Sequence, residues 1–230
     1  MISVTAIVLA AGKGVRSKLK IPKPLIRINN QPIIIQCLKV LANHPRIGEI
    51  IVVVNRMNKE AIIHKIKKYR IGKIKAVVLG GIRRQDSVKA GLKLINKDTK
   101  LVLIHDGVRP FINHKLISTL IEEANDCGAA ILGVPVKATV KQVKIKADKV
   151  TVEETLSRDN LWEIQTPQVF RKELILKAYQ QFGNIDVTDD SALVEKLGVK
   201  PAVVFGSYKN IKITTSEDLI FAKAIANLTK

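Results

Sequence analysis

Aromatic residues and cysteines are scarce in this sequence of 230 residues. Aromatic side chains make up only 4% and hydrophobic ones 47%, so the core must be built from isoleucine, valine, leucine and alanine. No run of about 18 uncharged apolar residues occurs, which excludes an ordinary membrane-spanning helix. The two cysteines, Cys37 and Cys127, fall in predicted helices, and we expect two buried, reduced thiols. Because Val4–Leu9 is a predicted strand rather than part of a signal peptide, we expect a cytoplasmic protein.

Acidic residues are scarce in the first 100 positions. Residues 1–100 carry 22 basic and 4 acidic side chains, a net +18, whereas residues 101–230 carry 17 and 16, a net +1. This asymmetry predicts an anionic ligand on the N-terminal half, either a nucleoside triphosphate or a nucleic acid. A nucleic-acid-binding protein should place aromatic stacking residues or a groove-reading helix among its basic residues. Residues 1–100 contain one aromatic, Tyr69, which favours the nucleotide.

Strand-like and helix-like segments alternate along the chain. Five apolar runs predict strands, at Ala6–Leu9, Ile50–Val54, Ala76–Leu79, Leu101–Ile104 and Ala129–Val134. Helical periodicity lies between them, near residues 31–43, 58–69, 84–96 and 113–126. The alternation predicts an α/β protein with a Rossmann-like, mostly parallel sheet and helices on both faces. The length predicts one domain, residues 1–230.

Residues 137–156 break the alternation. They read as two short, polar-faced strands around a turn at Asp148–Lys149. A hairpin this charged has little core of its own to join, and an isolated two-stranded hairpin is marginally stable. We therefore predict a β-arm that projects from the body and is used for dimerisation.

The unusual motifs follow the predicted strands, where parallel sheets bind their ligands. In the segment Ala10–Gly14, small residues let backbone N–H groups approach phosphate oxygens, and Ala10 and Ala11 leave room for a flat base. Arg16 and Lys23 add two cations on the same segment. The spacing is neither that of the P-loop nor that of the dinucleotide fingerprint.

Two further strand ends carry polar groups. Ser87 opens the helix after Gly80–Gly81, where a hydroxyl can meet a polar ligand. Asp106 is placed to hold Mg²⁺ or a ribose hydroxyl, and Arg109 to clamp a second anion. We predict a structural role for His105, because a phosphate nucleophile is already ionised at neutral pH and needs no general base.

Lys212 and Trp162 can each be interpreted in two ways. Lys212 lies in a β-type run whose other members are apolar or neutral, and beside a phosphate site it would be a cation on a rigid element. Trp162 alone is more often a core residue than a platform for a ligand.

Several motifs together resemble the 2-C-methyl-D-erythritol 4-phosphate cytidylyltransferases of the non-mevalonate isoprenoid pathway. They are AAGKGVR and PKP (10–16 and 22–24), HDGVRPF (105–111), LWEIQTPQ (161–168), TDDSALVE (188–195) and NIKITTSEDL (210–219). The resemblance runs from Ala10 to Asp218 in the expected order. It implies transfer of CMP from CTP to 2-C-methyl-D-erythritol 4-phosphate with release of pyrophosphate, dependence on Mg²⁺ or another divalent cation, and a homodimer formed through the arm. We expect neither nucleic acid nor a membrane as a partner.

The resemblance also implies site residues. The catalytic cations would be Arg16, Lys23 and Lys212. The nucleotide would be bound by Ala10, Ala11, Gly12, Gly14, Gly81, Ser87 and Asp106, with Asp106 also holding the metal. The sugar phosphate would be bound by Thr139, Arg158, Thr166, Thr188 and Lys212, together with Arg109. Thr139 and Arg158, on the arm, would reach the site of the partner subunit.

Two positions depart from the family pattern. The family usually has an acidic residue after its glycine pair, where this chain has Ile82, and an aspartate before the arm threonine, where it has Ala138. Three alternatives stay open: a ribitol-5-phosphate cytidylyltransferase of cell-wall synthesis, a basic nucleic-acid-binding protein, and an inactive scaffold that keeps the fold. HDGVRPF fits both cytidylyltransferase families, while AAGKG and LWEIQTPQ favour the isoprenoid enzyme.

Overall fold

The computed structural model of the chain describes residues 3–12 and 21–228. Its strands are β1 Val4–Ala10, β2 Arg27–Ile28, β3 Gln31–Pro32, β4 Ile47–Val54, β5 Ile74–Leu79, β6 Leu101–Asp106, β7 Ala129–Pro135, β8 Val140–Lys146, β9 Lys149–Leu156, β10 Trp162–Arg171 and β11 Ala202–Phe205. Its helices are α1 Ile33–Asn43, α2 Lys59–Lys68, α3 Arg84–Leu92, α4 His114–Cys127, α5 Lys172–Phe182, α6 Ser191–Glu195 and α7 Ser216–Leu228, with a 3-10 helix at Lys23–Leu25.

Seven strands form one sheet in the order β11-β7-β10-β6-β1-β4-β5. Neighbouring strands are parallel except at β10, which runs antiparallel to both β6 and β7. The five strands and four helices predicted from the sequence are all confirmed, although α3 ends earlier than predicted, at Leu92. The carboxyl ends of β1, β4, β5 and β6 consequently meet at one edge of the sheet.

Side chains of each central strand alternate between two apolar layers. In β1, Ala6 and Val8 pack with α1, α2 and α4, while Ile7 packs on the opposite face with α3, α5 and α6. This period of two explains why the strands read as continuous apolar runs, since both faces are buried. The predicted class, a mostly parallel sheet with helices on both faces, is therefore confirmed.

Local signals explain where some helices begin and end. The Asn113 side chain accepts a hydrogen bond from the backbone N–H of Leu116 (2.9 Å), as expected of an N-cap residue. Gly128 caps the C-terminus of α4, and its φ of 95° suits glycine. At the start of α3, Asp86 accepts a hydrogen bond from the N–H of Arg83 (3.1 Å).

The predicted arm is present as the antiparallel hairpin β8–β9, a two-stranded sheet separate from the seven-stranded one. Its turn contains Ala147 in the left-handed region, with φ of 47°. Val143 pairs with Val152 and Ile145 with Val150, so these four aliphatic residues share one face of the hairpin.

Three expectations were wrong. Cys127 is exposed, although Cys37 is buried as predicted. Lys212 lies in irregular chain rather than in a strand, held by the neighbouring hydrogen bond from the N–H of Ile213 to the carbonyl of Val108 (3.0 Å). Trp162 is 37% exposed at the surface of the sheet instead of in the core.

Within the described ranges, no helix combines the length and apolarity needed to cross a bilayer.

Candidate active site

A cleft with two connected lobes lies beyond the carboxyl ends of β1 and β6. The first lobe, about 540 Å³, is lined among others by the predicted residues Ala10, Ala11, Gly12, Lys23, Gly81, Ser87, Asp106, Thr188 and Lys212. The second lobe, about 750 Å³, includes Arg109, Thr166 and Trp162. The two lobes share Arg84, Asp106, Thr188 and Lys212. Two predicted residues, Gly14 and Arg16, lie outside the described residues.

Two asparagines that the sequence analysis missed hold the floor of the first lobe. Asn58 donates a side-chain hydrogen bond to the carbonyl of Ala10 (2.8 Å), and Asn55 donates one to the carbonyl of Ala11 (3.2 Å). Each asparagine side chain also accepts a hydrogen bond from the backbone N–H of the other (3.0 Å). The carbonyls are thereby held from the side of β4. The sequence signal for this role was the pair of asparagines, Asn55 and Asn58, directly after a buried strand.

Gly80 allows the first two predicted motifs to approach each other. A Cβ at Gly80 would overlap the hydroxyl of Ser87 and lie 2.8 Å from the Cβ of Ala11. The missing side chain therefore lets the start of α3 pack against the loop after β1. Among the described residues, a Cβ at Gly12 would have no neighbour within 4 Å, so packing does not require that glycine.

The carboxylate of Asp106 lies between three cations where the lobes meet. Its side chain is 9% exposed, with Nζ of Lys212 at 2.8 Å, Nε of Arg84 at 3.7 Å and Nε of Arg109 at 3.9 Å. Burial alone raises the pKa of Asp106, but Lys212, Arg84 and Arg109 outweigh it and hold that pKa well below its ordinary value. The carboxylate therefore stays ionised and orients all three basic groups.

Arg84 is a further site residue that the sequence analysis did not single out. Its Nη2 lies 2.7 Å from Oδ2 of Asp190, whose side chain is completely buried and accepts a hydrogen bond from the hydroxyl of Tyr179 (2.5 Å). Burial lowers the pKa of Arg84, but Asp190 and Asp106 raise it above its ordinary value, so the guanidinium keeps its charge. A cation in the first turn of a helix is disfavoured by the helix dipole. The position of Arg84 at the start of α3 was therefore the sequence signal that this arginine has a specific role.

His105 and Thr166 form a buried hydrogen-bonded chain that supports Asp106. The backbone N–H of Asp106 donates to the hydroxyl of Thr166 (3.0 Å), which lies 3.2 Å from Nδ1 of His105. Nε2 of His105 lies 3.1 Å from the carbonyl of Arg109, so this nitrogen must carry the proton and Nδ1 must accept. Burial lowers the pKa of His105 to about 4, so the ring is neutral at pH 7. These contacts fit the predicted structural role.

The remaining predicted residues for the sugar phosphate occupy different places. Arg109 lines the second lobe, but its Nη1 donates to the carbonyl of Asn210 (2.7 Å) and its side chain is only 12% exposed. Thr188 is exposed and lines both lobes. Thr139 and Arg158 are exposed on and beside the arm and line neither lobe, with Arg158 bonded to the carbonyl of Lys137. One chain therefore brings together all the described site residues except these two.

The residues at the cleft fit a magnesium ion only in part. Within residues 3–12 and 21–228, no group of three or more histidine, cysteine, aspartate or glutamate side chains could hold a metal by itself. Mg²⁺ at nucleotide sites commonly takes one or two carboxylates, substrate phosphates and water. Asp106 is ionised and lies where the two lobes meet, so it can supply one such ligand.

Comparisons with known proteins show which family the chain resembles. The family model described as 2-C-methyl-D-erythritol 4-phosphate cytidylyltransferase matches residues 4–228. A protein of that name from Alkaliphilus metalliredigens is 44% identical over 99% of this chain and 94% of its own, and one from Clostridioides difficile is 42% identical over 98% and 94%.

Solved structures share the fold of this chain. The 4-diphosphocytidyl-2C-methyl-D-erythritol synthase of Anaerococcus prevotii superposes with a TM-score of 0.85 at 36% identity, covering 100% of this chain and 97% of its own. The 2-C-methyl-D-erythritol 4-phosphate cytidylyltransferase of Francisella tularensis superposes with a TM-score of 0.81 at 32% identity, covering 97% and 99%. The chain therefore belongs to the 2-C-methyl-D-erythritol 4-phosphate cytidylyltransferase family.

Proposed function

We propose that the cleft transfers CMP from CTP to 2-C-methyl-D-erythritol 4-phosphate and releases pyrophosphate, a step of isoprenoid precursor synthesis. The observation that carries the proposal is the ion pair between Lys212 and Asp106 where the two lobes meet. It joins the end of one motif-bearing strand to a cation from the far end of the chain. The first lobe takes the nucleotide and the second takes the sugar phosphate.

The reaction is an in-line attack by the sugar phosphate on the α-phosphorus of CTP, with pyrophosphate as the leaving group. The bond to the incoming phosphate oxygen forms as the bond to the β-phosphate oxygen breaks. Because one anion attacks another, the protein must hold positive charge at the reacting phosphorus. Lys212 and Lys23 line the first lobe and supply that charge, and Arg16 is assigned the same role from the family motif.

The nucleotide is held by the small residues of the first lobe. Ala10 and Ala11 leave space for the cytosine, and Gly12 and Gly14 are assigned to the phosphates. Gly81 and Ser87 face the same lobe from the start of α3 and contact the cytidine portion. When bound, Mg²⁺ would neutralise phosphate charge, and Asp106 is the residue that would hold it.

The sugar phosphate is held by residues of the second lobe. Thr188 offers an exposed hydroxyl, and Arg109 offers a cation. Burial lowers the pKa of Arg109, and the attraction of Asp106 offsets part of that change. The hydroxyl of Thr166 is already engaged with Asp106 and His105, so Thr166 acts mainly by fixing the end of β6. Thr139 and Arg158 are assigned to the cleft of a second subunit.

The exposed face of the arm supports a dimer of two copies of this chain. Val143, Ile145, Val150 and Val152 share one face of the hairpin and are 41%, 71%, 62% and 61% exposed. Four paired aliphatic side chains at the surface of a two-stranded hairpin indicate an interface. The family resemblance supplies the occupant, a second copy of this chain. A cytoplasmic location is part of the proposal and accords with two unpaired cysteines.

The dimer is tested by placing charge on this face. The double variant Val143→Lys/Val152→Lys should sediment as a monomer at concentrations where the unmodified protein is a dimer, because two lysines would be buried without partners. Lys144→Gln, on the other face of β8, is the matched control and should remain dimeric. A dimer that survives the double variant assigns the interface elsewhere.

The reaction is tested with purified protein, CTP and Mg²⁺, and with 2-C-methyl-D-erythritol 4-phosphate and ribitol 5-phosphate in parallel. Pyrophosphate release should require the methylerythritol phosphate, and the product should carry one CMP per sugar phosphate. Comparable or better turnover with ribitol 5-phosphate would assign the chain to the cell-wall reaction instead. Absence of turnover with both would contradict the proposal.

A further inference from the structure

Arg84 lies between two carboxylates, Asp106 at the cleft and the fully buried Asp190 behind it. Its Nε faces Oδ1 of Asp106 at 3.7 Å, and its Nη2 faces Oδ2 of Asp190 at 2.7 Å. Its side chain is 24% exposed and lines both lobes. Lys212 and Arg109 face the other oxygen of Asp106, so the two carboxylate oxygens of Asp106 have separate basic partners.

Asp190 is in turn part of the segment that carries Thr188. The buried carboxylate accepts a hydrogen bond from Tyr179 on its second oxygen (2.5 Å). The neighbouring Asp189 accepts hydrogen bonds from the side chain of Gln168 (2.6 Å) and the N–H of Ala192 (3.1 Å). The segment after Thr188 is therefore held by two adjacent carboxylates, and Asp190 is the one that reaches Arg84.

A ligand in the first lobe must alter the balance around Arg84. Phosphate groups there compete with Asp106 for its basic neighbours, and any cation held by Asp106 lies close to the guanidinium. A cation on Asp106 weakens the attraction of that carboxylate for Arg84, so the guanidinium interacts more strongly with Asp190, because it is divided between two carboxylates in a site of low dielectric. The effect reaches Thr188 through Asp190.

We propose that Arg84 is a positioning residue that couples the two lobes, so that a nucleotide in the first lobe strengthens binding of the sugar phosphate in the second. The inference rests on the proposed function for the identity of the two ligands. By linkage, the sugar phosphate strengthens nucleotide binding by the same factor. Tyr179 supports the same coupling by holding Asp190.

The test measures binding of 2-C-methyl-D-erythritol 4-phosphate by calorimetry, with Mg²⁺ present, with and without the non-reacting analogue α,β-methylene CTP. In the unmodified protein the analogue should tighten binding about tenfold. Arg84→Lys keeps the charge but is too short and not forked, so it cannot hold both carboxylates, and the factor should fall to about twofold or less. Arg46→Lys, in a surface ion pair with Glu122, is the matched control and should keep the full factor.

Tyr179→Phe removes only the hydroxyl bonded to Asp190 and should reduce the coupling factor to about threefold. If Arg84→Lys melts at a much lower temperature than the unmodified protein, the coupling factor of Tyr179→Phe is the deciding measurement. A full factor in a folded Arg84→Lys or Tyr179→Phe variant overturns the inference, as does a factor of one in an unmodified protein that turns over both substrates. Absence of both turnover and sugar phosphate binding overturns the proposed function, and the coupling with it.

Discussion

The cleft and the arm both depart from the rule that polar groups lie outside and apolar groups inside, in opposite directions. In the cleft, Asp106 and Asp190 are 9% and 0% exposed at the side chain, and their basic partners Arg84, Arg109 and Lys212 come from three parts of the chain. In the arm, Ile145 and Val152 are 71% and 61% exposed. Buried charge is tolerated where it is paired, whereas exposed apolar surface indicates a missing partner. One chain thus completes the charge pairing of the cleft, whereas the arm keeps an exposed apolar face that we propose a second chain covers.

The largest expected effect comes from breaking the charge pairing in the cleft. Lys212→Ala should lower kcat about 10²–10³-fold, because the reacting phosphorus loses a cation that stabilises the developing charge. The fold should persist, since the side chain of Lys212 is 41% exposed. Pyrophosphate release measures the rate, and circular dichroism measures the fold. Lys209→Ala, an exposed lysine three positions away, should retain activity, and equal loss in both variants would contradict this role.

A second effect tests the buried support of the cleft. His105 has a pKa of about 4 in the folded protein against an ordinary 6.5, so its contribution to stability is complete above pH 6.5 and is lost as pH falls towards 4. Because the fold favours the neutral ring, the free energy of unfolding should fall by about 2–3 kcal/mol between pH 7 and pH 4.5.

Urea unfolding in metal-free buffer at several pH values measures this loss. His105→Gln should be less stable at pH 7, and its difference from the unmodified protein should shrink as the pH falls. His64→Gln, at an exposed position on α2, should run parallel to the unmodified protein. A constant difference for His105→Gln would show that the ring is not the group that titrates.

A smaller effect tests the arm. Arg158→Ala should raise KM for 2-C-methyl-D-erythritol 4-phosphate about tenfold through loss of a charged hydrogen bond, with KM for CTP unchanged. Arg158 lines neither lobe of its own chain, so the effect would have to come from the partner's cleft. Steady-state kinetics with each substrate varied separately provides the measurement. A matching rise in KM for CTP would place Arg158 in the nucleotide lobe instead.

The smallest effect concerns Ile82, which lines the first lobe and is 89% exposed. An isoleucine provides no polar contact at a position where the family usually has an acidic residue. Ile82→Asp should therefore lower KM for CTP about threefold, the equivalent of one modest hydrogen bond. Ile82→Val should leave KM unchanged. An unchanged KM in Ile82→Asp would mean that the departure has no consequence for nucleotide binding.

The sequence was sufficient for the parts of the fold that depend on local pattern. The apolar runs predicted β1, β4, β5, β6 and β7, and the polar alternation after residue 137 predicted the arm. The strands β10 and β11 were missed: β10 runs directly into α5, and β11 has only four residues. Such strands are specified by neighbours in the sheet rather than by their own pattern.

The candidate site was predictable where a motif follows a strand, as at Ala10 and Asp106. Arg84, Asn55 and Asn58 were missed because their roles come from contacts distant in sequence, such as that between Arg84 and Asp190. Lys212 was identified for a wrong structural reason, since it lies in irregular chain that Ile213 ties to Val108. Long-range pairing of this kind leaves no local periodicity to read.

The most direct test of a site formed by two chains uses a mixed dimer. Two differently tagged copies are coexpressed, one with Lys212→Ala and the other with Arg158→Ala, and mixed dimers are isolated by both tags. One cleft then combines an intact Lys212 with an intact Arg158 from its partner. At low 2-C-methyl-D-erythritol 4-phosphate the mixed dimer should show about half the activity of the unmodified dimer. Activity near one-twentieth, that expected if each Arg158 serves its own chain, would contradict the account.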